Sequence, residues 1–518
     1  MNDVLTSISE KKEQIQKKLS TGSVVLFGVG AAGEATYLAL FNTFITIFYN
    51  QIVGLSNTLI GTAIMLALVA DAITDPLVGI ISDKWNSKHG RRHPFLFIAP
   101  LPLAISVYFI FNPPESLIAG AEDATQYALF AWLAIWTILS RGFLTLYIVP
   151  HLALGGEISK NQNERSRLFS SNSIFTYTFG AAFGFVLWSV FFAGERIRES
   201  DGMTVPGHLD PASYGPVVIL AFALILMTIW TCAIGTYKHV PNLSKPQQFA
   251  GRFTIKEFFR QILSTLKNRN YVVLMGGFLF FMIGSGIFDT LGIFVDTYFW
   301  ELKTDQIRWF RLVSIPAALS GALLAPALMR KFDRKPVLMF AIGGTVVAAQ
   351  LVVDLRLLGI MPENGSPYLM PILCANVAVF LFSIGVASVT ALSMIGDVVD
   401  ENELETGNRQ EGLFYSARTF FTKAAFSLGH LVAGVGLDVF VGFPSNAVPG
   451  EVDPDIILRL GILAGPAMGI LTIFSIVIYT RYNLDKKRHQ EILVGIAANK
   501  AKAQAQTNSP EASGEPPS

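Results

Sequence analysis

Apolar runs long enough to cross a bilayer recur along almost the whole chain, and this limits the fold more than any other feature. A spanning helix needs about 20 predominantly apolar residues, and about twelve stretches qualify. Six centre on residues 24–48, 59–81, 95–111, 128–152, 174–192 and 217–234. Six more centre on 272–295, 312–329, 337–353, 369–395, 414–441 and 456–479. Lipid offers backbone N–H and C=O groups no partner, so each run must close its hydrogen bonds within a helix. Of the 518 residues, 52% are hydrophobic and only 15% charged, against roughly a quarter in soluble domains. The expected fold class is therefore all-α integral membrane. A net charge of +1 gives no ground for a nucleic-acid partner. Cys232 and Cys374 lie in apolar runs without metal or disulfide spacing and read as packing residues.

Charge in the loops sets the organisation. Lys and Arg gather at Lys11 to Lys18, Lys84 to Arg92, Lys160 to Arg167, Arg330 to Lys335 and Lys486 to Arg488, whereas loops 50–57, 112–126 and 442–454 contain neither. The positive-inside rule then places both termini in the cytoplasm and requires an even number of spans, in the plasma (inner) membrane. Residues 1–22 form a polar N-terminus without a cleavable signal, so the first span is expected to direct insertion. Residues 23–236 and 271–482 form two six-helix bundles joined by a basic cytoplasmic linker, 237–270. Within the linker, 253–266 is expected to be an amphipathic helix on the membrane surface. Residues 483–518 form a cytoplasmic tail, largely disordered, with no apolar periodicity from Ala497 onward. The basic turns at 82–94 and 330–336 occupy equivalent places in the two halves, a weak sign of duplication.

Two carboxylates interrupt the second run. Asp71 and Asp75 are one helical turn apart in an otherwise lipid-compatible stretch, 61–81. An intramembrane charge costs about 2.5–3.5 kcal/mol on the translocon scale. At i, i+4 the two carboxylates share a face and repel when both are ionised. Such a site takes a proton or a hard monovalent cation, with hydroxyls such as Thr74 and Thr145 to complete the shell. Lys423 offers an internal cation for the empty site, a way to link occupancy to conformation. The competing reading makes Asp75-Pro76 a helix boundary. The apolar run continues past Pro76 and favours a kinked span.

Two segments go beyond architecture. One is Asp71-Ala-Ile-Thr-Asp75-Pro76-Leu-Val-Gly79-Ile-Ile-Ser-Asp83 with Gly90-Arg91-Arg92-His-Pro94. The other is Gly396-Asp397-Val-Val-Asp400-Glu-Asn-Glu403, continuing through Gly407, Arg409, Glu411, Gly412 and Tyr415 to Lys423. Together they resemble the glycoside–pentoside–hexuronide:cation symporter family (melibiose-permease-like) over roughly residues 27–482. The resemblance implies a major facilitator fold of two pseudo-repeated six-helix bundles and coupling to Na⁺, Li⁺ or H⁺. It implies an ion site of Asp71, Asp75, Thr145 and Lys423, with Thr74 standing where the family has Asn. The sugar site departs from the pattern, because Ala35 and Ile148 replace its two aspartates and Leu152 its tryptophan. Glu34 neighbours the first of these positions and is expected to point to a different face.

Other polar residues in the runs are weaker candidates. Arg141 either pairs with a buried acid or contacts substrate, replacing the arginine that the family carries where this chain has Leu68. Arg418, five residues before Lys423, is a second candidate cation in the cavity, and two such cations would suit a uronide. Asp289 is placed to contact substrate hydroxyls, while Asp296, seven residues on, lies either beside it or near the outer surface. His430 reads as packed and hydrogen-bonded. Phe41, Phe44, Phe48 and Tyr49 either line a sugar-stacking cavity or face lipid. A cytoplasmic gate is expected from Asp83, Arg91, Arg92, Asp397, Asp400, Glu403, Arg409 and Glu411, by charge-assisted contacts between the halves.

The expected function is secondary active transport: cation-coupled symport of a small polar solute, a glycoside, oligosaccharide or uronide, by alternating access. An alternative is a carrier of the same fold for an amphipathic lipid, and an integral-membrane enzyme is more remote. No Ser-His-Asp, His-Glu-x-x-His or metal cluster has plausible spacing, so the chain is not expected to be an enzyme. No cofactor is expected beyond the coupling ion, with Na⁺ at Asp71 and Asp75 one option. The expected partners are the solute, the cation and the lipid bilayer, with the chain acting as a monomer.

Overall fold

The computed structural model describes residues 18–118, 123–159, 161–199, 201–243, 255–408 and 410–507. Most of the polar N-terminus, linker residues 244–254, Arg409 and residues 508–518 lie outside the described residues. Among the described residues, twelve helices are long and apolar enough to span a membrane. They are α1 Thr21–Val53, α2 Asn57–Lys84, α3 His93–Ile110, α4 Thr125–Ile158, α5 Asn163–Phe191 and α6 Pro211–Tyr237. After the linker helix Ile255–Thr265 come α7 Arg269–Phe299, α8 Thr304–Phe332, α9 Arg334–Leu357, α10 Leu369–Thr406, α11 Leu413–Val441 and α12 Pro454–Tyr479. A two-stranded hairpin, β1 Glu195–Ile197 and β2 Thr204–Pro206, sits in the loop between α5 and α6. The linker helix, the start of α1 and the end of α12 share one face of the bundle, called here the terminal face. The opposite face is the distal face.

The duplication is explicit in the packing. In the first half α1 lies against α5 and α6, α4 against α2 and α3, and α3 against α6. In the second half α7 lies against α11 and α12, α10 against α8 and α9, and α9 against α12. Each contact thus recurs six helices later. The distal ends repeat as well: α1, α5, α7 and α11 all finish in a π-turn. Single π-turns inside or at the ends of helices concentrate at functional sites. The halves meet along α2 with α11, α5 with α8 and α1 with α7, an arrangement the repeat maps onto itself. The fold is all-α, with two six-helix bundles in the major facilitator arrangement.

Local rules explain the helix ends that matter to the site. Ser56 caps α2, its Oγ accepting from the Leu59 N–H at 3.3 Å. The helix then runs unbroken through Pro76 to Lys84, so Asp75-Pro76 is not a boundary. Membrane helices tolerate a proline where neighbouring groups re-satisfy the freed backbone. α10 outruns its apolar stretch by three turns and takes the acidic segment into helix as far as Thr406. Gly407, at φ 74°, then ends it in the left-handed region.

Two expectations are corrected by packing. The tail is helical over Lys486–Thr507 rather than disordered from residue 483. Ile492 and Ile496, one turn apart, are buried against the second half, and Lys500 reaches Glu403 at 2.8 Å. Phe44, Phe48 and Tyr49 face neither a sugar nor lipid. Phe44 and Phe48 pack with Trp188, Phe192 and Tyr214, and the Tyr49 hydroxyl donates to the Ile110 carbonyl at 2.7 Å. Phe41 stacks on Tyr37 in the same core.

Candidate functional site

The carboxylates of α2 meet cations from two different helices. Arg141 of α4 donates to Asp71 Oδ2 through Nε at 3.1 Å and through a terminal nitrogen at 2.8 Å. Lys423 of α11 places Nζ 2.5 Å from Asp75 Oδ2 and 3.5 Å from Asp71 Oδ2. Thr145, one turn beyond Arg141 on α4, donates its hydroxyl to Asp75 Oδ1 at 2.8 Å. The i, i+4 spacing on α2 and the matching i, i+4 spacing of Arg141 and Thr145 on α4 bring these groups into register. Thr74 turns back on its own helix, 3.5 Å from the Asp71 carbonyl.

The two acids differ in access. The Asp71 side chain is 3% exposed, whereas Asp75 is 27% and Lys423 33% exposed. Arg141 therefore fixes Asp71, and Asp75 with Lys423 forms the exchangeable pair. One oxygen is left over: Asp71 Oδ1 is buried without a hydrogen-bond partner. A free carboxylate oxygen, a carboxylate held by a displaceable ammonium and a hydroxyl oxygen suit a hard monovalent cation or a proton.

A third acid, which sequence reasoning set aside, belongs to this cluster. Ala35 is buried in α1 and faces Gly180 of α5. Glu34, one position earlier, is the residue that interacts electrostatically with Lys423 and Arg141. Its signal was an unpaired carboxylate in an apolar run, the same signal that singled out Asp71 and Asp75. With all five groups ionised, three carboxylates face two cations and leave one negative charge.

The remaining substrate candidates separate. Arg141 is committed to Asp71. Arg418 lies over the Phe278 ring at 5.2 Å, with its Nε buried and unpartnered, and lines neither the crevice that holds Asp75 and Lys423 nor the cavity that holds Asp289. Two free cations beside a solute, the basis for expecting a uronide, are therefore not assembled. Asp289 does line a cavity, of about 430 Å³, together with Asp296 and Arg311 of α8. Arg311 was missed because it sits just outside the apolar centre of its run. His430 is packed and hydrogen-bonded as expected, its Nδ1 2.6 Å from the Thr290 hydroxyl.

Among the described contacts, Asp83, Arg91, Arg92 and Asp397 pair inside their own halves. Arg92 binds Asp83 and, at 2.8 Å, Glu157, while Arg91 binds Glu157 at 2.9 Å. Arg334 reaches Asp397 at 3.1 Å, and His489 of the tail helix is 3.0 Å from Asp400. Glu403 takes Lys500. The helical course of residues 397–406 turns these acids toward α9 and the tail, which the reading of the segment as a gate did not foresee. The two basic turns are equivalent: Arg92 meets the end of α4, and Arg334 meets the matching region of α10. Glu411 begins α11 and is exposed.

The distal face is closed by hydrogen bonds that cross between halves. Asp438 of α11 accepts from the backbone N–H groups of Asn57 at 3.1 Å and Thr58 at 2.7 Å, capping α2 from the other half. Gln51 accepts from Tyr298 and from the Ala447 N–H, and donates to the Pro444 carbonyl at 2.9 Å. His208 lies 2.9 Å from the Thr297 hydroxyl, and burial pushes its pKa down to about 3. Gly61 and Gly434 let α2 and α11 touch, since a Cβ on Gly434 would overlap the Asn57 carbonyl oxygen.

Residues 26–486 match the family described as MFS/sugar transport protein. The chain belongs to that family. It is similar to the uncharacterized symporter YnaJ of Bacillus subtilis, 26% identical over 483 residues that cover 92% of this chain and 95% of the relative. It is 23% identical to the glucuronide carrier protein homolog of Escherichia coli, covering 95% and 98%. It is 22% identical to the sodium-dependent lysophosphatidylcholine symporter 1-A of Danio rerio, covering 93% and 89%. Among solved structures, the nucleoside transporter NupG superposes with a TM-score of 0.57 at 13% identity, covering 90% of this chain and all of NupG. That likeness concerns the fold.

Proposed function

We propose that the chain is a secondary transporter that carries a small polar solute of the glycoside class across the plasma membrane together with Na⁺ or H⁺. The observation that carries this reading is the cluster of Asp71, Asp75, Arg141, Thr145 and Lys423 at the junction of α2, α4 and α11. An entering cation takes Asp75 from Lys423, and the ammonium's release loosens a contact that joins the two halves. Occupancy is thereby tied to the relative position of the bundles, the requirement for coupling. The basic loops put the termini, the linker and the tail helix in the cytoplasm, so the sealed distal face is extracytoplasmic. The chain acts as a monomer.

A second reading, a carrier of the same fold for an amphipathic lipid, draws on one observation. A mostly apolar crevice of about 740 Å³ runs between α2 and α11 to Phe259 of the linker helix and includes Asp75 and Lys423. An acyl chain would fit beside a charged headgroup site there. The test is gradient-driven uptake into right-side-out vesicles over a panel of neutral glycosides, uronides and lysophospholipids, with and without Na⁺ and pH gradients. The reading expects uphill accumulation that Asp75→Asn abolishes. Undiminished accumulation by that variant contradicts the coupling assignment, and accumulation of lysophospholipid alone selects the second reading.

A further inference from the structure

The cavity beside Asp289 holds charges that the coupling cluster does not use. Asp289 and Asp296 lie seven residues apart on one face of α7, and Arg311 of α8 interacts electrostatically with both. No ion pair within 4 Å joins Arg311 to either acid among the described contacts. Its described hydrogen bond is instead to the hydroxyl of Thr43 on α1, at 3.3 Å, in the other half. Acids and guanidinium thus share a cavity without closing on each other. Two polar atoms of the cavity residues are buried and unpartnered, Asp289 Oδ2, an acceptor, and Trp188 Nε1, a donor. Buried polar groups are rarely left unsatisfied, and each such vacancy costs about 1–3 kcal/mol.

We infer that this cavity is the solute subsite, that it recognises a neutral polyhydroxylated ring, and that it discriminates against anionic sugars. A hydroxyl both donates and accepts, so one ligand of this class satisfies a carboxylate and a guanidinium together. A uronide or sulfonated sugar would satisfy Arg311 but bring an anion against two carboxylates in a low-dielectric site. A quaternary ammonium neither donates nor accepts, so it leaves the hydrogen-bonding capacity of the carboxylates and the guanidinium unmet. Phe288 and Phe310, both only partly buried, give the cavity flat apolar surface for the C–H faces of a ring, and its volume lies within the usual range for small-molecule sites.

The position also explains how solute and ion communicate. His430 Nε2 is 3.9 Å from Asp289 Oδ2, and the same histidine feels the charge of Arg141. α11 therefore carries Lys423 into the coupling cluster and, two turns later, His430 to the edge of the cavity. This assignment rests on the transport reading above for its role, but its binding test is independent of it.

The experiment follows tryptophan fluorescence of the purified full chain in nanodiscs. Titrants are p-nitrophenyl glucoside, galactoside and xyloside, p-nitrophenyl glucuronide, and lysophosphatidylcholine. At least one neutral glycoside is expected to bind saturably and at least tenfold more tightly than the glucuronide. Asp289→Asn and Arg311→Gln should each weaken that binding at least tenfold, with Asp289→Glu and Arg311→Lys losing less. Retention of the wild-type cation response certifies that each variant is folded. Equal or tighter glucuronide binding overturns the inference, as does binding of no neutral glycoside, or of lysophosphatidylcholine alone. If Asp289→Asn and Arg311→Gln bind like wild type while uptake still requires Asp75, the subsite falls and the symport reading stands. If neutral glycosides bind at this cavity but no cation gradient drives their uptake, the subsite stands and the symport reading falls.

Discussion

α2 and α11 meet twice, and the two meetings are built from different chemistry. At the distal end Asp438 accepts two backbone N–H groups of α2, and Gly61 and Gly434 let the helices touch. The Asn57 side-chain amide donates to the same carboxylate at 2.9 Å, so every described donor in that contact is a neutral N–H group. At mid-membrane the same helices are joined through Lys423 and Asp75, a pair that any competing cation dissolves. The difference separates two jobs. In the proposed cycle, the distal contact sets which conformation the protein rests in, and the central contact reports whether the ion is there.

The predictions break one contact at a time. The largest effect is expected from Asp75→Asn, which should remove accumulation against a gradient while leaving solute exchange, measured as counterflow in vesicles. Arg141→Leu strips the buried Asp71 of its main partner. Breaking such a pair costs about 3–5 kcal/mol, to be read as a loss of thermal stability, and the added variant Asp71→Leu should restore much of it. Asp438→Ala removes a cap worth about 1–2 kcal/mol. That shifts the resting balance roughly 5–30-fold toward distal opening. A Ser314→Cys probe in the cavity, in a Cys374→Ser background, should then react faster with an impermeant maleimide from the distal side. Gly434→Ala should act in the same direction.

The smallest effect, and none at all at neutral pH, is expected at His208. The sealed state holds this histidine neutral down to about pH 3, whereas an exposed imidazole takes a proton near pH 6.5. As pH falls below about 6.5, the open state binds a proton that the sealed state refuses. The seal then weakens by up to about 1.4 kcal/mol per pH unit. Distal probe reactivity should rise on acidification, and His208→Gln should flatten that rise. A rise unchanged by the substitution would assign the acid response to another group.

Much of the fold was legible because lipid permits so few structures: long apolar runs had to be helices. The Asp71–Asp75 pair was legible for the same reason, since a charge in such a run needs a partner. What escaped depended on direction around a helix or on meetings between distant helices. Arg418 is five residues from Lys423, about 140° around the helix, so the spacing itself turned it away from the cluster. Glu34 was discounted by its offset from a family position, although its burial among apolar residues carried the signal. Asp438 sits at the end of an apolar run, and only the fold reveals that this end abuts the start of α2. The tail helix depended on Ile492 and Ile496 finding a surface that no local pattern announces.

The central claim is that Asp71 and Asp75 hold the coupling cation. It is tested most directly by ion binding without solute: thermal unfolding of the purified protein titrated with NaCl or LiCl against choline chloride, at pH 6 and pH 8. A cation at a hundred times its Kd stabilises the folded state by about 2.7 kcal/mol. The account predicts a saturable shift for wild type, with Na⁺ or with protons, and none for Asp71→Asn or Asp75→Asn. A shift of equal size and affinity in Asp75→Asn would contradict it.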